Sequence, residues 1–146
     1  MQTGHRFQAT DLHQFVKTLF THMGSSLTEA SLIADHLIAA NLAGHDSHGV
    51  GMIPSYVRSH AQGYLQLNRH ASVMKDAGAV VTLDGNGGFG QVVAHEAMQI
   101  GIKKAREHGM AAVALRNAHH IGRIGYWAEQ CAAAGMISIH FVNVVG

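Results

Sequence analysis

Apolar residues recur every three or four positions along the first third of the chain, which is the spacing of one helical face. The pattern predicts a helix that has Thr10 as its N-cap and ends at Gly24, and a second that begins near Thr28 and closes near Gly44. A third helix is expected at 54–61. The apolar face of the first helix consists of Leu12, Phe15, Val16, Leu19, Phe20 and Met23.

The pattern changes after residue 68, where short apolar runs alternate with longer helical stretches. The predicted elements are strands at 71–75, 79–83, 111–115 and 137–142, and helices at 91–108 and 122–134. From residue 79 onward the order is β-α-β-α-β, which predicts an α/β fold in which this portion of a mixed sheet is largely parallel and covered by helices. We therefore divide the chain into a helical segment, 1–68, and an α/β portion, 69–146.

Composition restricts the class of protein. The hydrophobic fraction is 47% and the charged fraction 13%, which is typical of a compact folded protein. The net charge is +1 with no basic stretch interleaved with aromatics, so we expect no nucleic-acid partner. One cysteine, no bilayer-length apolar run and no signal-peptide core favour the cytoplasm and no membrane. Residues 144–146 directly follow a predicted strand, so we expect an incomplete α/β portion, the first part of a larger enzyme.

The chain has 13 histidines, and a first cluster lies in the sequence GHDSHG at 44–49. An imidazole ordinarily titrates near pH 6.5, so His48 is a candidate to accept or donate a proton at neutral pH. The flanking glycines allow close approach of a ligand. The alternative is that His48 only hydrogen-bonds backbone where the second helix ends.

A second cluster lies in RNAHHIGRIG at 116–125, after a predicted parallel strand, where ligands bind in open α/β sheets. The amides of Gly122, Arg123 and Ile124 would be the unpaired donors of a helix N-terminus, which favours an anion. Because the helix dipole disfavours a cation there, Arg123 suggests a bound anion such as pyrophosphate. The alternative is that Arg123 extends into solvent.

The sequence GNGGFG at 85–90 matches the dinucleotide fingerprint and lies between a predicted strand and a helix. The fingerprint expects an acidic residue at the end of the next strand, but that strand ends in Arg116. Asp84 would also place a negative charge beside any phosphate. We therefore favour a glycine-rich turn that lets helix and strand pack closely.

A metal site is the alternative use of these side chains. Imidazole and carboxylate groups suit zinc and related ions, which would indicate a metal-dependent hydrolase. The spacing matches no known metal signature, so this is the weaker hypothesis and we expect no metal. The candidate ligands would be His45, Asp46, His48, His119 and His120.

Three separated motifs resemble the type 2 malate/L-lactate dehydrogenase family, also called the L-sulfolactate dehydrogenase-like family. They are AANLAGHDSHGV at 39–50, LDGNGGFGQVVA at 83–94 and RNAHHIG at 116–122. Tyr126 and the sequence at 135–137 continue the match, which covers essentially the whole chain. Within the family, the chain looks most similar to the bacterial 2-hydroxycarboxylate dehydrogenases.

The resemblance implies an NAD-dependent oxidoreductase, with NADP possible, that acts on small 2-hydroxy acids and in reverse on 2-oxo acids. It implies a homodimer and a nicotinamide-binding fold unrelated to the Rossmann domain, of which 69–146 would be the first part. Family chains are longer, so the alternative is a catalytically incomplete fragment of such an enzyme.

The resemblance also assigns residues. His48 matches the motif histidine near the reacting carbon and the cofactor, and His120 matches the histidine assigned as acid/base in some members. Gly122, Arg123 and Ile124 match a segment that contacts the cofactor. Many members carry an arginine shortly after the DSHG motif, and Arg58 is the candidate to replace it here.

Overall fold

The computed structural model describes residues 6–143, so the expectation for residues 144–146 lies outside the described part. The chain forms five α-helices and three strands within that part, with two short 3-10 turns between the second and third helices. The elements are α1 Ala9–His22, α2 Leu27–Leu42, the 3-10 turns Asp46–His48 and Val50–Met52, α3 Ile53–Ala61, β1 Ser72–Ala77, β2 Val80–Asp84, α4 Gly90–His108, β3 Ala112–Arg116 and α5 Ile124–Ala133.

The helical first third is confirmed, with corrections at the helix starts. α1 follows Gln8, which makes no side-chain cap, so the prediction of a Thr10 cap is wrong. α2 is capped by Ser26, whose hydroxyl oxygen accepts the N–H of Glu29 at 3.1 Å. That bond satisfies one of the amides that every helix start leaves unpaired.

One hydrophobic core joins the helices to the start of α4. The rings of Phe20 and Phe89 meet edge to face with centroids 5.4 Å apart, and Tyr56 packs against Phe89 at 5.6 Å. The two portions of the chain therefore share packing, and the boundary at residue 68 stays a prediction. The buried members of this core are Val16, Phe20, Ala30, Ile33, Ala34, Leu37, Ile38, Tyr56, Leu65, Phe89 and Val92.

The sheet is mixed, with strand order β1-β2-β3. β1 runs antiparallel to β2, and β2 runs parallel to β3 with Val80 opposite Ala112 and Asp84 opposite Arg116. α4 is the crossover between the parallel pair, as the β-α-β pattern predicted. Since the parallel strands end together, the loops after Asp84 and Arg116 lie at one edge of the sheet.

The predicted strand at 137–142 does not form in the structure. Ile137 is 99% exposed, Ile139 80% and Phe141 93%, so the alternating apolar side chains are not packed. A strand is stabilised by hydrogen bonds to a neighbouring strand, and the described chain offers this segment no such partner. The apolar pattern alone therefore did not decide the conformation.

Among the helices described between residues 6 and 143, none has both the length and the apolar character needed to cross a membrane.

Candidate functional site

The two histidines singled out from separate motifs meet in the structure. The rings of His48 and His120 stack with centroids 5.3 Å apart and an interplanar angle of 27°. His48 ends the 3-10 turn after α2, and His120 lies in the loop between β3 and α5. The fold thus places two imidazoles, both half-buried, where they can act on one small ligand.

The loop that carries His48 is held by Asn41. The Nδ2 of Asn41 donates to Asp46 at 2.6 Å, and its Oδ1 accepts the N–H of Val50 at 2.9 Å. A Cβ at Gly49 would overlap that Oδ1, so a larger residue there would displace the Asn41 side chain and break these two hydrogen bonds. The partner of the His48 Nδ1 is the Ser47 hydroxyl at 2.9 Å, so the ring is oriented by a side chain and the expectation of a backbone partner is not met.

His120 belongs to a buried chain of hydrogen bonds. Its Nδ1 lies 2.8 Å from the hydroxyl of Tyr56, and that hydroxyl oxygen accepts the Nε2–H of Gln91 at 2.7 Å. Tyr56 is fully buried and Gln91 is 1% exposed. Burial raises the pKa of Tyr56 to about 12, so its hydroxyl keeps its proton. Burial, and then the neighbouring His48, lower the pKa of His120, which favours a neutral ring.

Sequence reasoning missed Tyr56 and Gln91. The one signal was that Tyr56 falls in the predicted helix just after the GHDSHG motif. Gln91 lies in the motif at 83–94 and begins the predicted helix at 91–108, but its contact with Tyr56 depends on how α4 packs against α3.

The segment at 122–124 differs from the prediction. α5 begins at Ile124, and Arg123 precedes it, so the predicted helix start at 122 is two residues early. The N–H of Arg123 is not free, because it donates to Nε2 of His36 at 2.8 Å. The amides of Ile124 and Gly125 belong to the first helical turn, whose geometry leaves such donors without an intrahelical acceptor.

The Arg123 side chain does not extend into solvent, so that alternative is wrong. It is 11% exposed, and its guanidinium donates to a carboxylate oxygen of Glu129 at 2.6 Å. This hydrogen bond holds the pKa of Glu129 below its usual range. The Nε of Arg123 is buried with no partner in the part of the chain that the structure describes.

The glycine-rich turn at 85–90 is occupied by internal hydrogen bonds. The N–H groups of Gly85 and Gly87 donate to the carbonyls of Arg116 and Asn117 at 2.9 and 2.8 Å. A Cβ at Gly90 would lie 2.2 Å from the carbonyl oxygen of His120, so this glycine permits a close approach. The interpretation as a close-packing turn is confirmed, and the turn supports the loop that carries His120.

Two further arginines, Arg58 and Arg116, form no hydrogen bond with His48 or His120 in the described part of the chain. Arg58 is exposed, and it follows Tyr56 by two residues, so it points to the other side of α3. The structure therefore does not bring Arg58 to His120. Arg116 is paired with Asp84 through its Nε at 3.0 Å.

Between residues 6 and 143, no group of three or more histidine, cysteine, aspartate or glutamate side chains is arranged to hold a metal ion. The adjacent rings of His119 and His120 both pack against Tyr56, with ring centroids 5.7 and 6.0 Å from the Tyr56 ring. The hydrolase alternative gains no support from this arrangement.

Comparison with known proteins gives a consistent family. Residues 7–145 match the family described as malate/L-lactate dehydrogenase. The chain is 70% identical over 146 residues to hydroxycarboxylate dehydrogenase B of Escherichia coli (strain K12), covering all of this chain and 40% of the relative. It is 38% identical over 138 residues to malate dehydrogenase of Pyrococcus abyssi, covering 94% of this chain and 38% of the relative. The chain thus spans about two fifths of the length of these relatives.

Solved structures agree with this. Malate dehydrogenase from Pyrococcus horikoshii superposes with a TM-score of 0.89 at 32% identity, covering 92% of this chain and 39% of that one. Sulfolactate dehydrogenase from Methanocaldococcus jannaschii superposes with a TM-score of 0.82 at 32% identity, covering 85% and 36%. The expected fold class, a helical segment followed by part of a mixed α/β sheet of the sulfolactate dehydrogenase type, is confirmed.

Proposed function

This chain belongs to the malate/L-lactate dehydrogenase family, and from that premise we propose that it serves hydride transfer between NAD(P) and C2 of a small 2-hydroxy acid. The reverse reaction reduces the 2-oxo acid. The observation that carries the proposal is the stacking of His48 on His120 beside the segment at 122–124. The relatives named above are called dehydrogenases of malate, sulfolactate and a hydroxycarboxylate, all acids that carry a hydroxyl group.

We assign His120 as the acid/base group. In oxidation, the hydroxyl proton of the substrate must leave to a base, and a neutral His120 can take it on Nε2 when Nδ1 carries the ring hydrogen. The Tyr56 oxygen can accept that Nδ1–H if the Gln91 amide presents Oε1 to the Tyr56 hydrogen. The oxygen and nitrogen of a glutamine amide are nearly identical in shape, so either can face Tyr56, and each orientation leaves the other amide atom of Gln91 buried without a partner among the described residues.

In reduction the same hydrogen-bonded groups act in the opposite direction. A protonated His120 gives its Nε2 proton to the 2-oxo oxygen, and the ring returns to the neutral form with Nδ1–H on Tyr56. His48, stacked on His120, would hydrogen-bond the same oxygen and contact the cofactor. Its Nδ1 is already engaged with Ser47, so Nε2 is the nitrogen left for a ligand.

The residues around 122–124 fit a dinucleotide. The first-turn amides of Ile124 and Gly125 and the buried guanidinium of Arg123 suit the negative charge of a pyrophosphate. The unpartnered Nε of Arg123 is a donor that such a group would satisfy. When bound, the nicotinamide ring would supply the hydride acceptor or donor. NAD is the proposed cofactor, with NADP as the second form.

The cytoplasmic homodimer expected from the sequence is part of the same proposal. Because the chain spans two fifths of its relatives' length, the second candidate is a polypeptide that binds cofactor weakly and is catalytically incomplete by itself.

A titration of NADH into the purified chain, followed by nicotinamide fluorescence, tests the proposal. Saturable binding that is lost in Arg123→Ala and retained in Arg58→Ala is the expected result. The same titration on the Escherichia coli relative serves as positive control. Binding by that relative and none by a cooperatively folded chain would favour the incomplete polypeptide, while turnover of 2-oxo acids by the chain would rule it out.

A further inference from the structure

His36 is a buried polar side chain in the middle of an apolar helix face. It is fully buried in α2, where Ile33, Ala34 and Leu37 around it belong to the hydrophobic core. Buried polar groups are normally hydrogen-bonded. The partner of the His36 Nε2 is the backbone N–H of Arg123 at 2.8 Å, so the bond joins α2 to the start of α5.

The space around this contact is closely filled. Gly122 has a φ of +73°, and a Cβ there would lie 2.0 Å from the His36 Nε2. The imidazole also packs against Tyr126 and Trp127, with ring centroids 4.5 and 5.1 Å away. The ring therefore sets both the position of the Gly122 backbone and the direction of the Arg123 amide.

We propose that His36 is a positioning residue that holds the segment at 122–124 in its binding conformation by accepting the Arg123 amide. The inference rests on the proposed function, because the segment is the one assigned to the cofactor. With Nε2 as acceptor, the ring must be neutral and carry its hydrogen on Nδ1. That Nδ1 is buried and has no partner within the described chain, so the acceptor at Nε2 is the one polar contact this ring makes.

The surroundings keep the ring neutral. Burial, followed by the charge of Arg123, lowers the pKa of His36 to about 4. At neutral pH the ring is thus always available as an acceptor. The ionisable groups that face it are His48 from the turn after α2, His120 from the loop after β3, and Arg123, Tyr126 and Glu129 around α5.

Affinity for NADH in three variants provides the first test. In His36→Leu the acceptor is lost, and we expect the Kd for NADH to rise about tenfold with an unchanged far-UV circular dichroism spectrum. In His36→Gln the amide oxygen can take the place of Nε2, so the Kd should stay within about twofold of the unsubstituted chain. His22→Leu, on the exposed face of α1, is the matched control and should change nothing.

A direct spectroscopic test accompanies it. An N–H···N hydrogen bond transmits a scalar coupling between the two nitrogens, so the Arg123 amide and the His36 Nε2 should correlate in a 15N-labelled chain. Equal NADH affinity in His36→Leu and the unsubstituted chain, or no such correlation, would overturn the inference. Failure of the unsubstituted chain to bind NADH would instead count against the proposed function, and the correlation would still decide whether His36 holds Arg123.

Discussion

The hydroxyl of Tyr56 lies 2.8 Å from Nδ1 of His120, which joins α3 to the loop after β3 through a fully buried side chain. Gln91 of α4 completes this chain of hydrogen bonds, because its side-chain amide lies 2.7 Å from the same hydroxyl. The orientation of His120 is therefore determined by two helices that the GHDSHG and RNAHHIG motifs do not include.

Replacing Tyr56 by phenylalanine should lower turnover and leave cofactor affinity unchanged. The substitution removes one hydrogen bond to His120, whose loss is equivalent to about a tenfold fall in kcat. Steady-state kinetics with a 2-oxo acid and NADH, together with NADH titration, would measure both quantities. Tyr64→Phe is the control, since Tyr64 is 74% exposed; equal kcat in the two variants would contradict the assigned contact.

Removal of either stacked imidazole should have a larger effect. We expect His48→Ala and His120→Ala each to lower kcat by about a hundredfold or more, the usual size of general acid/base and orienting contributions. Both side chains are half-buried, so the thermal unfolding midpoint should change little. His45→Ala, from the same loop but exposed, is the control. A comparable loss in His45→Ala would favour the metal-dependent alternative.

Alanine at Gly122 should destabilise the protein more than alanine at another left-handed glycine. Gly135 has a φ of +77° and open space around a Cβ. Gly135→Ala should therefore lower the free energy of unfolding only by the cost of a left-handed alanine, about 1 kcal/mol. Gly122→Ala adds the overlap with His36, for a total of about 3 kcal/mol. Urea unfolding measures both values.

The double variant Gly122→Ala with His36→Ala isolates the overlap. The shortened side chain at residue 36 makes room for the new Cβ. The double variant should therefore be less destabilised than the sum of the destabilisations measured in the two single variants. Additive values would show that Gly122 and His36 do not share the space that the structure gives them.

Acid should destabilise the fold through His36. Its pKa is about 4 in the folded chain against about 6.5 for an exposed imidazole. Between these values the unfolded chain binds a proton that the folded chain does not, so the free energy of unfolding falls as pH falls through this window. The contribution amounts to roughly 3 kcal/mol across the window.

The pH dependence of unfolding in variants would check this. His36→Leu should flatten the fall in unfolding free energy between pH 6.5 and pH 4, while the exposed His22→Leu should leave the slope unchanged. If both variants retain the slope of the unsubstituted chain, the acid sensitivity comes from other groups. His119 and His120, whose pKa values are also lowered by burial, are the next candidates.

Local sequence patterns are enough to predict the elements and the motifs of the described chain. Apolar spacing located all five helices and the three formed strands within a few residues, because that period depends on which side chains face a core. The motif residues His48 and His120 were identified from their local pattern, and the family followed from three motifs in order. The same local pattern predicts that the glycine-rich turn at 85–90 is a packing turn.

Which side chains meet depends on tertiary packing. The pattern at 137–142 suits a strand, but a strand requires a partner that no local period can supply. The contacts of Tyr56 with His120 and of His36 with Arg123 join residues 64 and 87 positions apart. Such contacts depend on how helices pack. The sequence around a buried histidine or a core tyrosine is the same whether or not its side chain hydrogen-bonds a residue of the site.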